Sequence, residues 1–122
     1  MPLNIVLIDD DPTVQKAFSR YLTTSGYQVQ LASDGRQGLK MIEAEPPDLV
    51  ITDIMMPEMD GVEILMAIRK LEFSLPVIAI SGGMRALPIN FLRHAKDLGA
   101  SYVFEKPVPL KDLLNAVKLL IG

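Results

Sequence analysis

Five short apolar runs, each followed by a stretch with a helical repeat, restrict most strongly what this chain can fold into. The runs cover residues 4–8, 27–32, 49–52, 77–80 and 102–104. IVLI, LVIT and VIAI, in the first, third and fourth, are unbroken and rich in β-branched residues. Strands covered on both faces of a parallel sheet have this composition. The other two differ. In YQVQLA, Tyr27, Val29 and Leu31 share one face and Gln28 and Gln30 the other, and YVFE is mixed. A wetter face suits an edge, so the second and fifth strands are expected at the sheet edges and the other three inside.

The segments between carry the helical period. After Asp11, apolar residues recur at Val14, Ala17, Phe18, Tyr21 and Leu22, a one-sided stripe that Gly26 ends. A second helix is expected over 35–45, with Leu39 and Ile42 inward and Pro46 and Pro47 as its stop. A third starts near Asp60 and carries Val62, Leu65 and Ile68. A fourth is expected over 88–98, with Gly99 behind it. The last follows Pro109 and buries Leu113, Leu114, Val117 and Leu120. One helix after each strand gives an α/β fold: a doubly wound, five-stranded parallel sheet with right-handed crossovers and helices on both faces.

The 122 residues are read as a single domain, 1–122, since two ordinary domains need more chain. The composition is 49% hydrophobic, which suits a packed globule and argues against disorder. Twelve basic and 15 acidic residues leave a net charge of −3, with no electrostatic footprint for nucleic acid. The chain has no cysteine, so disulfides, thiol catalysis and cysteine-ligated zinc are excluded. The first apolar run is too short for a signal peptide or a membrane span. The chain is therefore read as cytoplasmic, with no membrane partner.

In open α/β sheets, ligands bind beyond the carboxyl ends of the strands. The first run ends in Asp9, Asp10 and Asp11. Asp53 follows the third, Ser81 with Gly82 and Gly83 follows the fourth, and Lys106 follows the fifth. Asp11 before Pro12 is read as a helix N-cap with proline at the first helical position. Asp9, Asp10 and Asp53 then form a cluster whose close pairs each repel by about 4 kcal/mol at an effective dielectric of 20. Lys106 and a bound cation are what could offset that repulsion. A hard cation that prefers oxygen and keeps its waters, Mg²⁺ above all, is what such a cluster selects, with Mn²⁺ as a possible substitute; the alternative is a solvated acidic rim that holds no metal.

LIDDDP, ITDIMMPEMDG, AISGG and FEKP, in this order and spacing, resemble the receiver domain of two-component response regulators. The resemblance runs from Leu3 to Ile121. It implies a flavodoxin-like strand order 2-1-3-4-5. It implies that Asp53 is the phosphoacceptor, a carboxylate nucleophile taking a phosphoryl group from a phosphohistidine. It makes Asp10 and Asp53 direct Mg²⁺ ligands, Asp9 a ligand through water, and the backbone carbonyl of Met55 the third protein ligand. Lys106 would pair with the phosphoryl oxygens, Ser81 would be the switch hydroxyl, and the Gly82 backbone N–H would lie nearby. Pro107 resembles the family's cis-proline, which aims Lys106. The implied partners are a histidine kinase or histidine phosphotransfer protein and a downstream protein target. The activity would be that of a switch and not an enzyme, beyond catalysing its own phosphorylation and slow dephosphorylation.

The sequence departs from the family pattern three residues before the lysine. Val103 stands where an aromatic often reports phosphorylation, and Tyr102 and Phe104 should face the other way. The single histidine, His94, is given no phosphoryl or metal role. Competing readings are a receiver cut from a longer regulator or hybrid kinase, and a binding scaffold that works without phosphorylation. An aspartyl phosphatase would want an acid where Met55 stands, and a flavodoxin-like cofactor binder would not place three aspartates against a phosphate.

Overall fold

The computed structural model describes residues 2–53, 61–71, 74–81 and 99–122. Five strands, β1 (Asn4–Ile8), β2 (Gln28–Ala32), β3 (Leu49–Asp53), β4 (Val77–Ser81) and β5 (Tyr102–Glu105), form one sheet. The described helices are α1 (Pro12–Thr24), α2 (Gly35–Ala44), α3 (Gly61–Leu71) and, after β5, α4 (Leu110–Ile121). All four strand pairings are parallel, in the order β2-β1-β3-β4-β5. The unbroken apolar strands are central and the two mixed ones are edges, as expected. The helix expected over 88–98 lies outside the described residues, as do Met55, Gly82 and His94.

Strand alternation sends the core into two layers. Val6, Ile8, Val50, Val77 and Ala79 face α2 and α3, meeting Ile42, Ile64, Leu65 and Ile68. Ile5, Leu7, Leu49, Ile51, Ile78 and Ile80 face α1 and α4, meeting Phe18, Leu22, Leu113 and Val117. Val103 joins the first layer while Tyr102 and Phe104 join the second, with their rings stacked at 6.4 Å. The aromatic side of β5 therefore points away from the face that Val103 occupies. Leu114 and Leu120 are half-buried, less covered than the helical stripe suggested.

Three strands run one residue further than the apolar runs. Asp53 pairs with Ile80, and Ser81 with Glu105, so ladder bonds carry polar residues into the sheet. Tyr27 is buried but precedes β2. Leu31 is 39% exposed, because an edge strand has a neighbour on one side only.

Both early helices begin on an aspartate. The Asp11 carboxylate accepts from the Thr13 N–H at 2.9 Å, with Pro12 first in the helix. Asp34 accepts from the Gln37 N–H at 2.8 Å. Such caps satisfy donors that helix starts leave unpaired. At the far edge, Arg69 Nη2 donates to the Gly99 carbonyl at 2.7 Å. Gly99 has φ +103°, a left-handed backbone that favours glycine, and a Cβ there would displace the Arg69 side chain.

Gly38 lets α2 approach β1. An added Cβ would lie 2.3 Å from Ile8 Cδ1 and 2.5 Å from its Cγ1, and Ile8 is fully buried. Gly38→Ala gains up to about 1 kcal/mol of helix propensity against about 1–3 kcal/mol of overpacking. We expect a net loss of about 1–2 kcal/mol in urea denaturation, and Ile8→Val, which deletes Cδ1, should recover part of it in the double variant.

Candidate phosphoacceptor and metal site

Parallel register brings the chemistry together. Ile8 pairs with Thr52, so Asp9 and Asp53, the next residues on adjacent strands, arrive side by side. Asp53 pairs with Ile80, and Ser81 with Glu105, which brings Lys106, next along the chain, over the same end of the sheet. The side chain of Ser81 is not among those described. The Lys106–Pro107 peptide is cis.

One carboxylate oxygen from each of Asp9, Asp10 and Asp53 lies within 4.8 Å of the other two. Asp9 is 1% exposed and Asp53 3%, while Asp10 faces solvent. Lys106 Nζ reaches Asp53 Oδ2 at 3.0 Å and Asp9 Oδ2 at 3.3 Å. Burial raises the pKa of Asp9 above its ordinary value, and the charge of Asp53 adds to this. The Asp11 N–H and Lys106 only partly oppose it. For Lys106, burial favours the neutral amine, but the hydrogen bond and charge of Asp53, with Asp9, outweigh it and raise the pKa. The lysine is held charged between two acids.

This donor set fits a divalent cation. Three carboxylates against one ammonium leave two negative charges. Asp9 Oδ2 is buried, and among the described residues its counter-charge is Lys106 Nζ at 3.3 Å, an ammonium it shares with Asp53. All the donors are hard oxygens, as Mg²⁺ prefers. Asp9, Asp10 and Asp53 are the described residues that would hold it.

Two contacts escaped the sequence reading. Asp9 Oδ1 accepts from the Asp11 N–H at 2.9 Å, closing a local turn that the DxD spacing could have suggested. Gln15 Nε2 donates to the Asp9 carbonyl, with the Ala32 carbonyl at 3.3 Å and Ser33 Oγ at 3.4 Å. Nothing in the local sequence marks that glutamine, because its nearest partners are backbone carbonyls at the ends of β1 and β2.

Fold and site together define a class. The family model for the response regulator receiver domain matches residues 5–118, and the chain belongs to that family. It is 34% identical over 121 residues to the response regulator MprA of Mycolicibacterium vanbaalenii, covering 99% of this chain and 51% of that protein. The MprA of Mycobacterium leprae is 31% identical over 119 residues, again covering 51% of the relative. The chain thus spans about half the length of these curated relatives. Among solved structures, a CheY-like receiver domain protein from Methanospirillum hungatei superposes with a TM-score of 0.90 at 29% identity, covering 98% of this chain and 93% of that one. A receiver domain protein from Clostridium thermocellum gives 0.89 at 30% identity, covering 98% and 94%.

A cation held by Asp9, Asp10 and Asp53 would make stability depend on cation and pH together. Mg²⁺ at a hundred times its dissociation constant should stabilise the fold by about 2.7 kcal/mol, and Asp9→Asn or Asp10→Asn should lose most of that gain. Because the folded-state pKa of Asp9 is raised, the metal-free protein loses stability as pH rises through it and the carboxylate ionises. Mg²⁺ binding gains over the same interval. Melting curves across pH, with and without Mg²⁺, should therefore converge on the acid side.

Proposed function

We propose that this chain is a phosphorylation switch that accepts a phosphoryl group on Asp53 from a phosphohistidine on a histidine kinase or phosphotransfer protein. One observation carries the reading: a buried strand-end carboxylate, Asp53, shares its pocket with two further acids and a lysine 3.0 Å away. An Asp53 carboxylate oxygen attacks phosphorus. The P–N bond breaks, and the imidazole leaves with the electron pair and takes a proton from water. Mg²⁺, or Mn²⁺ in its place, supplies positive charge to the phosphoryl oxygens when bound. Lys106 orients Asp53 and meets charge on the transferred group, so the protein's share is positioning and electrostatics.

Ser81 and Gly82 are assigned, on the family resemblance, to the hydroxyl and backbone N–H that respond to the new phosphoryl charge. β4 ends at Ser81 beside the acceptor's strand, which supports that assignment. With Val103 in the layer under α2 and α3, the response does not run through an aromatic at that position. The chain acts on no separate substrate; it catalyses its own phosphorylation and slow dephosphorylation, and its output is a change in protein binding. We place it in the cytoplasm. No described helix is long and apolar enough to cross a membrane.

A groove of about 470 Å³ between α1 and the segment after β5 is lined by Val14, Ala17, Phe18, Val108 and Leu110, with Lys106 in its wall. Lys16 and Arg20 line the adjoining surface. An apolar docking face flanked by basic side chains, opening beside Lys106, suits the protein that delivers the phosphoryl group. A second reading, a receiver segment of a longer regulator, is favoured by the relatives' twofold length. Gel mobility of the native protein separates the two.

Intact mass after incubation with acetyl phosphate tests the main reading. We expect one Mg²⁺-dependent adduct that is absent in Asp53→Asn. Lys106→Met should slow its formation by about a hundredfold. A folded wild type with no adduct would move the reading to a scaffold. Ala17→Glu should impair transfer from a phosphohistidine protein while leaving acetyl phosphate labelling unchanged.

A further inference from the structure

The acid pair stands on a short segment beyond the sheet ladder, and its support is unusual. β1 ends at Ile8, and among the described residues the backbone bond beyond it is the Asp9 N–H, which donates to the Ala32 carbonyl at 3.0 Å. On the far side the segment is held by its own turn, through Asp9 Oδ1 and the Asp11 N–H. The carbonyl between these points belongs to the peptide that joins Asp9 to Asp10. Among the described residues, Gln15 supplies the side-chain donor to that carbonyl.

The same amide nitrogen faces the Ala32 carbonyl and Ser33 Oγ at the end of β2. Only the nitrogen can serve here, since a side-chain oxygen would be aimed at two carbonyl oxygens. Gln15 is itself fixed by the helix start. Its backbone N–H donates to the Asp11 carbonyl at 3.0 Å, in the turn that Asp11 caps. The β2 end is held in turn by α2, where Gln37 Oε1 accepts from the Ser33 N–H at 2.9 Å. One amide thus ties β1, β2 and α1 together at the peptide between two carboxylates.

We propose that Gln15 is a positioning residue for the cation site. By holding the Asp9 carbonyl against the β2 end, it sets the direction in which the Asp9 and Asp10 carboxylates leave the chain. This rests on the reading of those carboxylates as Mg²⁺ ligands. Gln15 would not touch the cation; it would act through the backbone of the residues that do, as supporting groups behind metal ligands do elsewhere.

The test uses the full chain as wild type, Gln15→Met and Gln15→Asn. Methionine keeps the length and packing without the donor, and asparagine keeps the donor on an arm one methylene too short. Mg²⁺ affinity is read by calorimetry, metal-free stability by urea denaturation, and the rate of acetyl phosphate labelling across Mg²⁺ concentrations by intact mass. We expect Mg²⁺ affinity to weaken by about tenfold in both variants, with the urea midpoint little changed. The labelling rate at saturating Mg²⁺ should return to within about twofold of wild type, since only cation occupancy is impaired. A merely structural role would lower the midpoint and leave affinity alone. Unchanged affinity in folded variants overturns the inference, as does failure of both variants to fold. A wild type that binds no Mg²⁺ overturns the cation reading itself, and the inference with it. A wild type that binds Mg²⁺ beside variants that bind it equally well overturns the inference alone.

Discussion

The contact of Lys106 with Asp53 and Asp9, at 3.0 and 3.3 Å, is the interaction on which the site depends. Two carboxylates almost closed off from solvent and set side by side repel strongly unless a counter-charge lies between them. The ammonium supplies one positive charge, and the third acid, Asp10, leaves the cluster two negative charges in excess. That residual charge is what suits the cluster to a cation, and it is the ground for the phosphoacceptor role proposed above.

Much of the fold was legible because two physical signals do not overlap. A strand covered on both faces must be apolar throughout, and an edge strand need not be. The contrast between VIAI and YQVQ therefore sorted inner strands from edges without a contact map. The Asp11 cap was legible because aspartate before proline has few other uses at a helix start. Strand ends were less so. Asp53, Ser81 and Glu105 belong to the ladder because a neighbouring strand still pairs with them, and that information lies elsewhere in the chain.

The site was legible in its charges and not in its supports. Asp9, Asp10, Asp53 and Lys106 carry chemistry that names itself by residue type and by position at strand ends. Gln15 carries none. Its partners are the carbonyls of Asp9 and Ala32, and a glutamine on the flank of an amphipathic helix reads as solvent-facing until the strand ends are placed around it. Asp9 likewise has two tasks, one oxygen in a local turn and the other toward Lys106, and only the second shows in its chemistry. Leu119, 74% exposed on α4, lies outside the stripe of Leu113, Leu114, Val117 and Leu120 that the helical repeat marks for burial.

The pairing of Ile8 with Thr52 and of Asp53 with Ile80 does more than bring acids together. Side chains on a strand alternate between faces, so a slip of one residue would put Thr52 at the level of Asp53 and turn the acceptor to the opposite side. The cluster's four charges stand at the ends of β1, β3 and β5, separated by most of the chain. A nascent or misassembled molecule could hold any one strand correctly and still lack the constellation. The site is thus a checksum on the assembled sheet: only a chain that has brought these strands into register presents the full set of charges.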